Sequence, residues 1–311
     1  MTSEQKHPLV SVYTCVFNGE KTIHRVFESM KNLTYPNIEH IIINDGSTDN
    51  TERLVKQYIC EVSFPVRYFS KENGGKHTAL NIAWSNAAGE FMIQLDADDE
   101  LLPNSISFLV NEYFKIPEEI RSEYWCVHGR CITQRGDFVG DPYPEGINLT
   151  DWKTAGKKAS AYRGEKIGLQ VVKYLSQYKF PEPQGVYNYL PEDIVWKQIN
   201  QQYGTWYTNE VVRVYYINEG DNLSARSTKK RQFGTIAYYN KWCITHPDLY
   251  PASIKRLTLY ALAFFIAPKE YRINNRYFSG IKSFGNKFLL SLLYIPLFFS
   301  SLIIRKWRGI K

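Results

Sequence analysis

Short apolar segments alternate with longer amphipathic segments over the first hundred residues of the chain. The apolar segments are four to eight residues long and rich in β-branched side chains, so they predict buried strands. Between the first two of them, Ile23, Phe27 and Met30 recur at helical spacing and predict a helix with one apolar face. Strands that alternate with helices predict βαβ units and a parallel sheet. The predicted strands are 9–16, 38–43, 66–69 and 91–95, and the predicted helices are 21–33, 51–58 and 78–88.

The alternation weakens after Pro117. Segments 124–133 and 210–217 have the composition of strands, whereas 170–178 and 193–203 have helical spacing. Residues 136–158 are rich in Gly, Pro and Asp and predict loops.

Three carboxylates, Asp96, Asp98 and Asp99, follow the fourth predicted strand. Ligands of open α/β sheets bind beyond the carboxyl ends of the strands. Carboxylates clustered there repel one another unless a cation lies among them, and carboxylate oxygens suit Mg²⁺ or Mn²⁺, which in turn bind phosphates. The alternative is that Asp98 and Asp99 only cap a helix that begins near Leu101.

Polar residues also follow two other predicted strands. Asp45 could accept a hydrogen bond from a uracil ring or a ribose hydroxyl, or it could belong to a turn in which Ser47 or Asp49 caps the next helix. The segment Asn-Gly-Gly-Lys at 73–76 would let a ligand approach the backbone while Lys76 neutralises phosphate, or it is an ordinary glycine-rich turn. Its spacing matches neither a Walker loop nor a dinucleotide-binding motif.

Glu192 and Asp193 open a predicted helix. Acids in a first helical turn often do no more than complement the helix dipole. A positioned carboxylate is also the group that deprotonates a hydroxyl nucleophile. Both interpretations stay open on these two residues alone.

The positive charge of the chain is concentrated at its end. The net charge is +7, but residues 251–311 hold eleven Lys and Arg and one acid, so the rest of the chain is net negative. Residues 288–304 carry no charge, lie between basic residues, and follow an amphipathic segment at 254–267. This combination favours an anionic membrane surface over nucleic acid, with a helix packed in the core as the alternative.

The cysteines and the first residues of the chain indicate the cellular compartment of the protein. None of the five cysteines forms a CxxC pair, and the first eight residues are polar, unlike a signal peptide. We therefore expect reduced thiols and exposure to the cytosol.

Taken together, the motifs resemble those of family 2 glycosyltransferases, which have the nucleotide-sugar-binding fold called GT-A. The resemblance runs from Pro8 to about Ser224, and Cys15 stands where the family usually has Pro. The motifs that carry it are VSVYTCVFNGE at 10–20, NDGSTD at 44–49, NGGK at 73–76, AGE at 88–90 with DADD at 96–99, and ED at 192–193.

The resemblance implies a role for each motif. Asp45 would contact the nucleobase with Thr14 and Glu20 nearby, and Asp96 would face the ribose and diphosphate. Asp98 would bind a divalent cation, Mn²⁺ or Mg²⁺. The predicted site is completed by Lys76 on the donor phosphates, by Asp193 as the catalytic base, and by Glu192 as its less favoured substitute.

The resulting prediction is an α/β protein with a GT-A fold, a mostly parallel sheet and a helical, membrane-associated tail. Residues 1–230 would form the glycosyltransferase domain, with a donor half at 1–115 and an acceptor half at 116–230, and 231–311 would form the tail.

The predicted reaction is inverting transfer of one sugar from a nucleotide-sugar, expected to be UDP-linked, to a lipid-linked or other envelope oligosaccharide. It would take place at the cytoplasmic face of the inner membrane, where the protein would be peripheral or anchored by its tail. The Gln-x-x-Arg-Trp motif of processive synthases is missing. The rival functions are an inactive saccharide-binding or scaffold protein and a metal-dependent nucleotidyltransferase.

Overall fold

The central feature of the fold is a sheet of eight strands. It is seen in a computed structural model that describes residues 7–143, 164–183, 186, 189–217, 232–250, 253–267 and 277–307. The strand order is β3-β2-β1-β4-β7-β6-β8-β5. The strands are β1 (Val10–Val16), β2 (Ile38–Asn44), β3 (Val66–Ser70), β4 (Phe91–Gln94), β5 (Glu100–Leu101), β6 (Tyr124–Thr133), β7 (Lys166–Val171) and β8 (Gly204–Tyr215).

The half of the sheet formed by the first ninety-four residues is parallel. β1 pairs with β2 and β4, and β2 pairs with β3, all in parallel. Every residue of β2 is buried, as expected for a strand covered on both faces. Beyond β4 the sheet is mixed, because β7 runs antiparallel to both β4 and β6. The predicted α/β fold with a mostly parallel sheet is confirmed.

The described helices cover the sheet or follow it in the chain. Helix α1 buries Ile23, Val26, Phe27 and Met30, the apolar positions that predicted it. The helices are α1 (Ile23–Lys31), α2 (Thr51–Glu61), α3 (Lys76–Asn86), α4 (Ser105–Lys115), α5 (Glu118–Arg121), α6 (Val172–Leu175), α7 (Asp193–Ile199), α8 (Gln232–Thr245), α9 (Ile254–Ile266) and α10 (Phe284–Trp307).

Two segments differ from their sequence-based interpretation. Residues 170–178 were expected to be helical, but β7 continues to Val171 and only the short α6 follows. Gly168 explains why this strand can pair with β6, since a Cβ there would lie 2.3 Å from the Sγ of Cys126. Near Leu101, the chain forms β5 and pairs with β8 instead of starting a helix, and α4 begins only at Ser105.

The chain divides into two compact units. The first comprises residues 1–73, 79–179 and 198–219 and contains the whole sheet. The second comprises residues 74–78, 180–197 and 220–311 and contains α8, α9 and α10.

Helix α10 is the one helix in the described ranges that is long and apolar enough to cross a membrane. Its apolar stretch, Phe284–Ile304, has a mean hydropathy of 2.0, yet only 11% of the most apolar 18-residue window is buried. One side packs against α9, where the rings of Tyr294 and Phe298 lie 5.0 and 5.7 Å from that of Phe265. The other side leaves large apolar side chains such as Ile295 and Ile303 exposed.

The buried His40 gives the first unit a predicted dependence on pH. Its ring nitrogens lie 3.1 Å from the hydroxyl of Thr14 and 3.0 Å from that of Tyr58. Burial lowers the pKa of His40 to about 3, so the folded protein keeps this ring neutral where the unfolded chain protonates it. Below the ordinary histidine pKa, the contribution of His40 to stability should therefore fall as the pH falls, by about 1.4 kcal/mol per pH unit down to about pH 3. His128, whose pKa burial lowers to about 4, should add to the slope.

Urea unfolding between pH 7 and pH 4 measures this slope. The variant His40→Gln should show a shallower loss of stability than the wild-type protein, whereas His24→Gln, at an exposed position of α1, should keep the wild-type slope. Equal slopes for all three proteins would contradict the assignment to His40.

Candidate functional site

Asp45 ends β2 and is held by the segment that follows β3. The Nζ of Lys71 lies 2.6 Å from Asp45 Oδ1, and Asn73 Nδ2 donates to the main-chain oxygen of Asp45 at 2.9 Å. Gly46 has φ of 77°, and a Cβ on it would lie 2.7 Å from the backbone nitrogen of Asn73. Only glycine therefore lets the two loops approach this closely, and the close approach fixes the Asp45 carboxylate at the end of the strand.

Glu20 and Thr14 have different surroundings in the same unit. Glu20 Oε2 accepts hydrogen bonds from the backbone nitrogen and the Nδ2 of Asn50, at 3.0 and 3.1 Å, so Glu20 braces the start of α2. Thr14 is fully buried and its hydroxyl contacts His40. The roles of both residues in donor binding stay predictions.

The acidic segment after β4 contacts a buried arginine of β8, Arg213. Arg213 NH1 lies 3.7 Å from Asp96 Oδ2 and 3.3 Å from Asp99 Oδ2. Asp99 also accepts a hydrogen bond from the backbone nitrogen of Tyr216 at 3.0 Å. The arginine thus offsets part of the negative charge that the sequence places at this strand end.

Asp96 and Asp98 differ from Asp99 in exposure. Asp99 is fully buried, whereas Asp96 and Asp98 are partly exposed. Burial raises the pKa of Asp99 to about 8, against the opposing effect of Arg213 and with further support from the charges of Asp96 and Asp98. Asp99 is therefore a structural acid that anchors the loop, and Asp96 and Asp98 are the carboxylates that a ligand can reach.

Arg25 holds the backbone of the same loop from α1. Its NH1 donates to the main-chain oxygen of Asp98 at 3.2 Å, and its guanidinium carbon lies 3.9 Å from the centre of the Tyr216 ring. This contact restrains the main chain at Asp98.

A divalent cation would have to be held by these acids with help from a ligand. Over the part of the chain that the structure describes, no group of three or more His, Cys, Asp or Glu side chains has the arrangement of a complete metal site. Asp96 and Asp98 nevertheless offer partly exposed carboxylate oxygens, the donor type that Mg²⁺ and Mn²⁺ prefer. These cations commonly bind through one or two carboxylates together with the phosphates of a substrate, and this donor set fits that pattern.

In the second unit, Lys76 and Glu192 form an ion pair. Lys76 Nζ lies 3.0 Å from Glu192 Oε1, and both side chains are mostly buried. The predicted phosphate contact of Lys76 would therefore compete with this carboxylate. Because the Glu192 carboxylate is paired with Lys76, Glu192 is the less favoured of the two candidates for the catalytic base.

Asp193 is held by two tyrosines from the C-terminal part of the chain. The hydroxyl of Tyr239 donates to Asp193 Oδ2 at 2.8 Å, and that of Tyr250 donates to the main-chain oxygen of Asp193 at 3.1 Å. Asp193 Oδ1 is buried and has no hydrogen-bond partner among the described residues. One oxygen of this carboxylate is therefore oriented by a tyrosine, and the other receives no hydrogen bond from the described residues.

The structure thus groups the predicted residues within each unit. Asp45, Asp96 and Asp98 lie at strand ends of the first unit, which also holds Thr14 and Glu20. The second unit holds Lys76, Glu192 and Asp193.

Sequence reasoning missed Arg213 and Tyr239. Arg213 could have been recognised because it lies within the apolar run Val-Val-Arg-Val-Tyr of β8, where a buried charge requires a partner. Nothing in the local sequence of α8 distinguishes Tyr239 from its neighbour Tyr238.

The first third of the chain is similar to a known sequence family. Residues 11–120 match the family described as "Glycosyl transferase family 2". An uncharacterized glycosyltransferase of Rickettsia bellii is 32% identical over 149 residues, which are 47% of this chain and 20% of the relative. Chondroitin synthase of Pasteurella multocida is 40% identical over 108 residues, which are 35% of this chain and 11% of that protein. The chain therefore spans only a minor part of these relatives.

Solved structures share the fold over nearly the whole chain. TarS 1-349 of S. aureus, in complex with UDP-GlcNAc, has a TM-score of 0.53 and 14% identity, covering 96% of this chain and 92% of that one. The mannosyltransferase PcManGT of Pyrobaculum calidifontis, in complex with GDP-Man and Mn²⁺, has a TM-score of 0.53 and 16% identity, covering 97% and 76%. At these identities the likeness shows a common GT-A fold.

Proposed function

We propose that the protein transfers a single sugar from a nucleotide-sugar to a saccharide acceptor with inversion at the anomeric carbon, and the match of residues 11–120 to glycosyl transferase family 2 supports this proposal. The observation that carries the proposal is the pair of partly exposed carboxylates, Asp96 and Asp98, at the carboxyl end of a parallel strand. Ligands of open α/β sheets bind at this edge. The intact acidic loop is also what an inactive saccharide-binding protein of the same fold would not need.

The donor is proposed to be UDP-linked. Asp45, fixed by Lys71 and Asn73, would accept from the N3–H of uracil, and Asp96 would accept from a ribose hydroxyl. Thr14 and Glu20 of the first unit are proposed as further donor-binding residues, and Lys76 of the second unit is proposed as a contact for phosphate. The complex of TarS with UDP-GlcNAc supports this choice of nucleotide, although PcManGT was solved with GDP-Man.

Asp98 would hold a divalent cation together with the donor diphosphate. The cation supplies positive charge that stabilises the negative charge of the leaving nucleotide. Manganese in the PcManGT complex supports a cation in this fold. Arg213 and Arg25 contribute by holding the acidic loop in place before the ligand arrives.

Asp193 would act as the general base. Its Oδ1 would take the proton of the acceptor hydroxyl, whose oxygen attacks the anomeric carbon while the bond to the nucleotide diphosphate breaks. Glu192 is bound to Lys76 and would not be available for this step.

The acceptor is proposed to be a lipid-linked or other envelope oligosaccharide at the cytoplasmic face of the inner membrane. The exposed apolar side of α10 and the basic residues near it support contact with an anionic lipid surface. Residues 1–115 would bind the donor, 116–230 the acceptor and 231–311 the membrane.

A panel of nucleotide-sugars tests the proposed donor. The full chain is heated with Mn²⁺ and, in turn, UDP-glucose, UDP-galactose, UDP-GlcNAc, UDP-GalNAc, GDP-mannose and nucleoside triphosphates. A ligand that binds only the folded state raises Tm. We expect a rise with at least one UDP-sugar, accompanied by UDP release. A rise with triphosphates alone and release of pyrophosphate would favour a nucleotidyltransferase.

Replacing Asp98 by Ala should remove the part of this stabilisation that depends on Mn²⁺. The carboxylate is partly exposed, so the substitution should leave the fold intact. At a donor concentration of 100 times Kd, binding stabilises the folded state by about 2.7 kcal/mol, which is large enough to follow by Tm.

The matched control is Asp137→Ala, at an exposed acid in the turn after β6. This variant should behave as the wild-type protein does. If Asp98→Ala retained the full effect of Mn²⁺ on donor binding, the assignment of the cation to Asp98 would be wrong.

A further inference from the structure

The C-terminal helices supply the residue that orients the proposed base. Tyr239 lies in α8, and its hydroxyl donates to Asp193 Oδ2 at 2.8 Å. Tyr250, which is fully buried, donates to the main-chain oxygen of the same residue. Both the side chain and the backbone of Asp193 are thus fixed from a part of the chain that the sequence assigns to a membrane tail.

The two tyrosines stay protonated and are themselves restrained. Burial raises the pKa of Tyr239, and its hydrogen bond to Asp193 raises it further, so the hydroxyl is protonated and can donate at neutral pH. The guanidinium carbon of Arg256, in α9, lies 5.2 Å from the ring centre of Tyr250 and 5.9 Å from that of Tyr239. Cation–π contacts at these distances hold the rings against α9.

The other cation near the carboxylate is not a comparable partner. Lys197 Nζ lies 4.0 Å from Asp193 Oδ2, and both side chains are more than a third exposed. A surface ion pair at this distance contributes little. The tyrosine hydroxyl is therefore the contact that sets the direction of the carboxylate.

We propose that Tyr239 is a positioning residue for Asp193, so that α8 and α9 are part of the reaction machinery as well as of the tail. By occupying Oδ2, Tyr239 turns Oδ1 toward the hydroxyl that loses its proton. This inference rests on the proposed function, because it takes Asp193 as the base.

The test uses the full chain and four variants: Tyr239→Phe, Tyr238→Phe, Asp193→Asn and the double variant with both Tyr239→Phe and Asp193→Asn. Tyr238 is the matched control, since it precedes Tyr239 in α8, is exposed to a similar degree and packs on Trp242. Turnover is measured as nucleotide release from the sugar of the donor panel that wild-type protein cleaves fastest, with water as acceptor. Donor Kd and Tm are measured on the same proteins.

Tyr239→Phe should lower kcat about tenfold and leave donor Kd unchanged, because a hydrogen bond to a charged group is lost at the base alone. Tyr238→Phe should leave both quantities unchanged. The shift in Tm caused by Tyr239→Phe should shrink when Asp193 is already Asn, because a neutral amide oxygen accepts a weaker hydrogen bond than a carboxylate does.

The outcomes separate this inference from the proposed function. If Asp193→Asn abolishes turnover but Tyr239→Phe has the turnover of the wild-type protein, the positioning role of Tyr239 is wrong and the assignment of Asp193 as the base is retained. If Asp193→Asn retains wild-type turnover, the proposed base itself is wrong. Equal Tm shifts for Tyr239→Phe in both backgrounds would overturn a charge-assisted contact between Tyr239 and Asp193, whatever the activity.

Discussion

Replacing Asp193 by Asn is expected to lower kcat by about 10²–10⁴-fold while leaving donor affinity little changed. The amide has nearly the shape of the carboxylate, so it leaves no cavity, but it cannot take a proton. Its oxygen can still accept the hydrogen bond from Tyr239, which lies 2.8 Å from the present carboxylate. The loss should therefore appear in the step that activates the acceptor and not in binding.

Glu192→Gln is the matched control for Asp193→Asn. It changes the adjacent residue in the same way, but Glu192 is paired with Lys76 at 3.0 Å. The variant should retain turnover within a few-fold, and any change should appear in donor affinity, because Lys76 would lose its partner. Near-normal kcat for Asp193→Asn together with a large loss for Glu192→Gln would reverse the two roles.

The parallel half of the fold could be predicted from sequence because its signals are local. Each of β1 to β4 is a short apolar run in the sequence, and a helix separates each run from the next. β7 could not be predicted in this way. It lies between β4 and β6, and no local pattern shows that residues 166–171 pair with these two strands, where Gly168 lies against Cys126.

The site divides in the same way. The sequence alone identifies three candidate site residues, because each follows shortly after an apolar strand in the chain. They are Asp45, Asp96 and Asp98. Their neutralising and positioning partners come from distant parts of the chain: Arg213 from β8 and Tyr239 from α8. An arginine inside an apolar strand indicates that the arginine has an acidic partner. Only the structure shows which acid it contacts.

Truncation after Phe278 is the second change with a large expected effect, since it removes α10. The shortened protein should no longer float with liposomes of anionic lipid and should still bind its donor. Residues 279–311 contain the exposed apolar side of α10 and the basic residues around it. Apolar burial and charge attraction would act together, with each basic residue near the surface contributing about 1 kcal/mol.

Flotation at low and high salt measures the effect for both forms. A second variant with Phe288, Ile295 and Ile303 all replaced by Ser changes only exposed positions and keeps the buried Leu290 that packs within the second unit. It should lose flotation as the truncation does, which separates lipid contact from general damage to α10.

Salt separates the two contributions to attachment. Screening acts on the charges alone, so high salt should weaken flotation of the full chain only in part if the apolar side of α10 enters the bilayer. The double variant of Lys282→Gln and Lys287→Gln should lower flotation mainly at low salt. Equal flotation of the full and truncated chains would show that α10 is not the anchor. The exposed side of α10 would then require a protein partner, since a surface of this size and hydropathy is unfavourable in water.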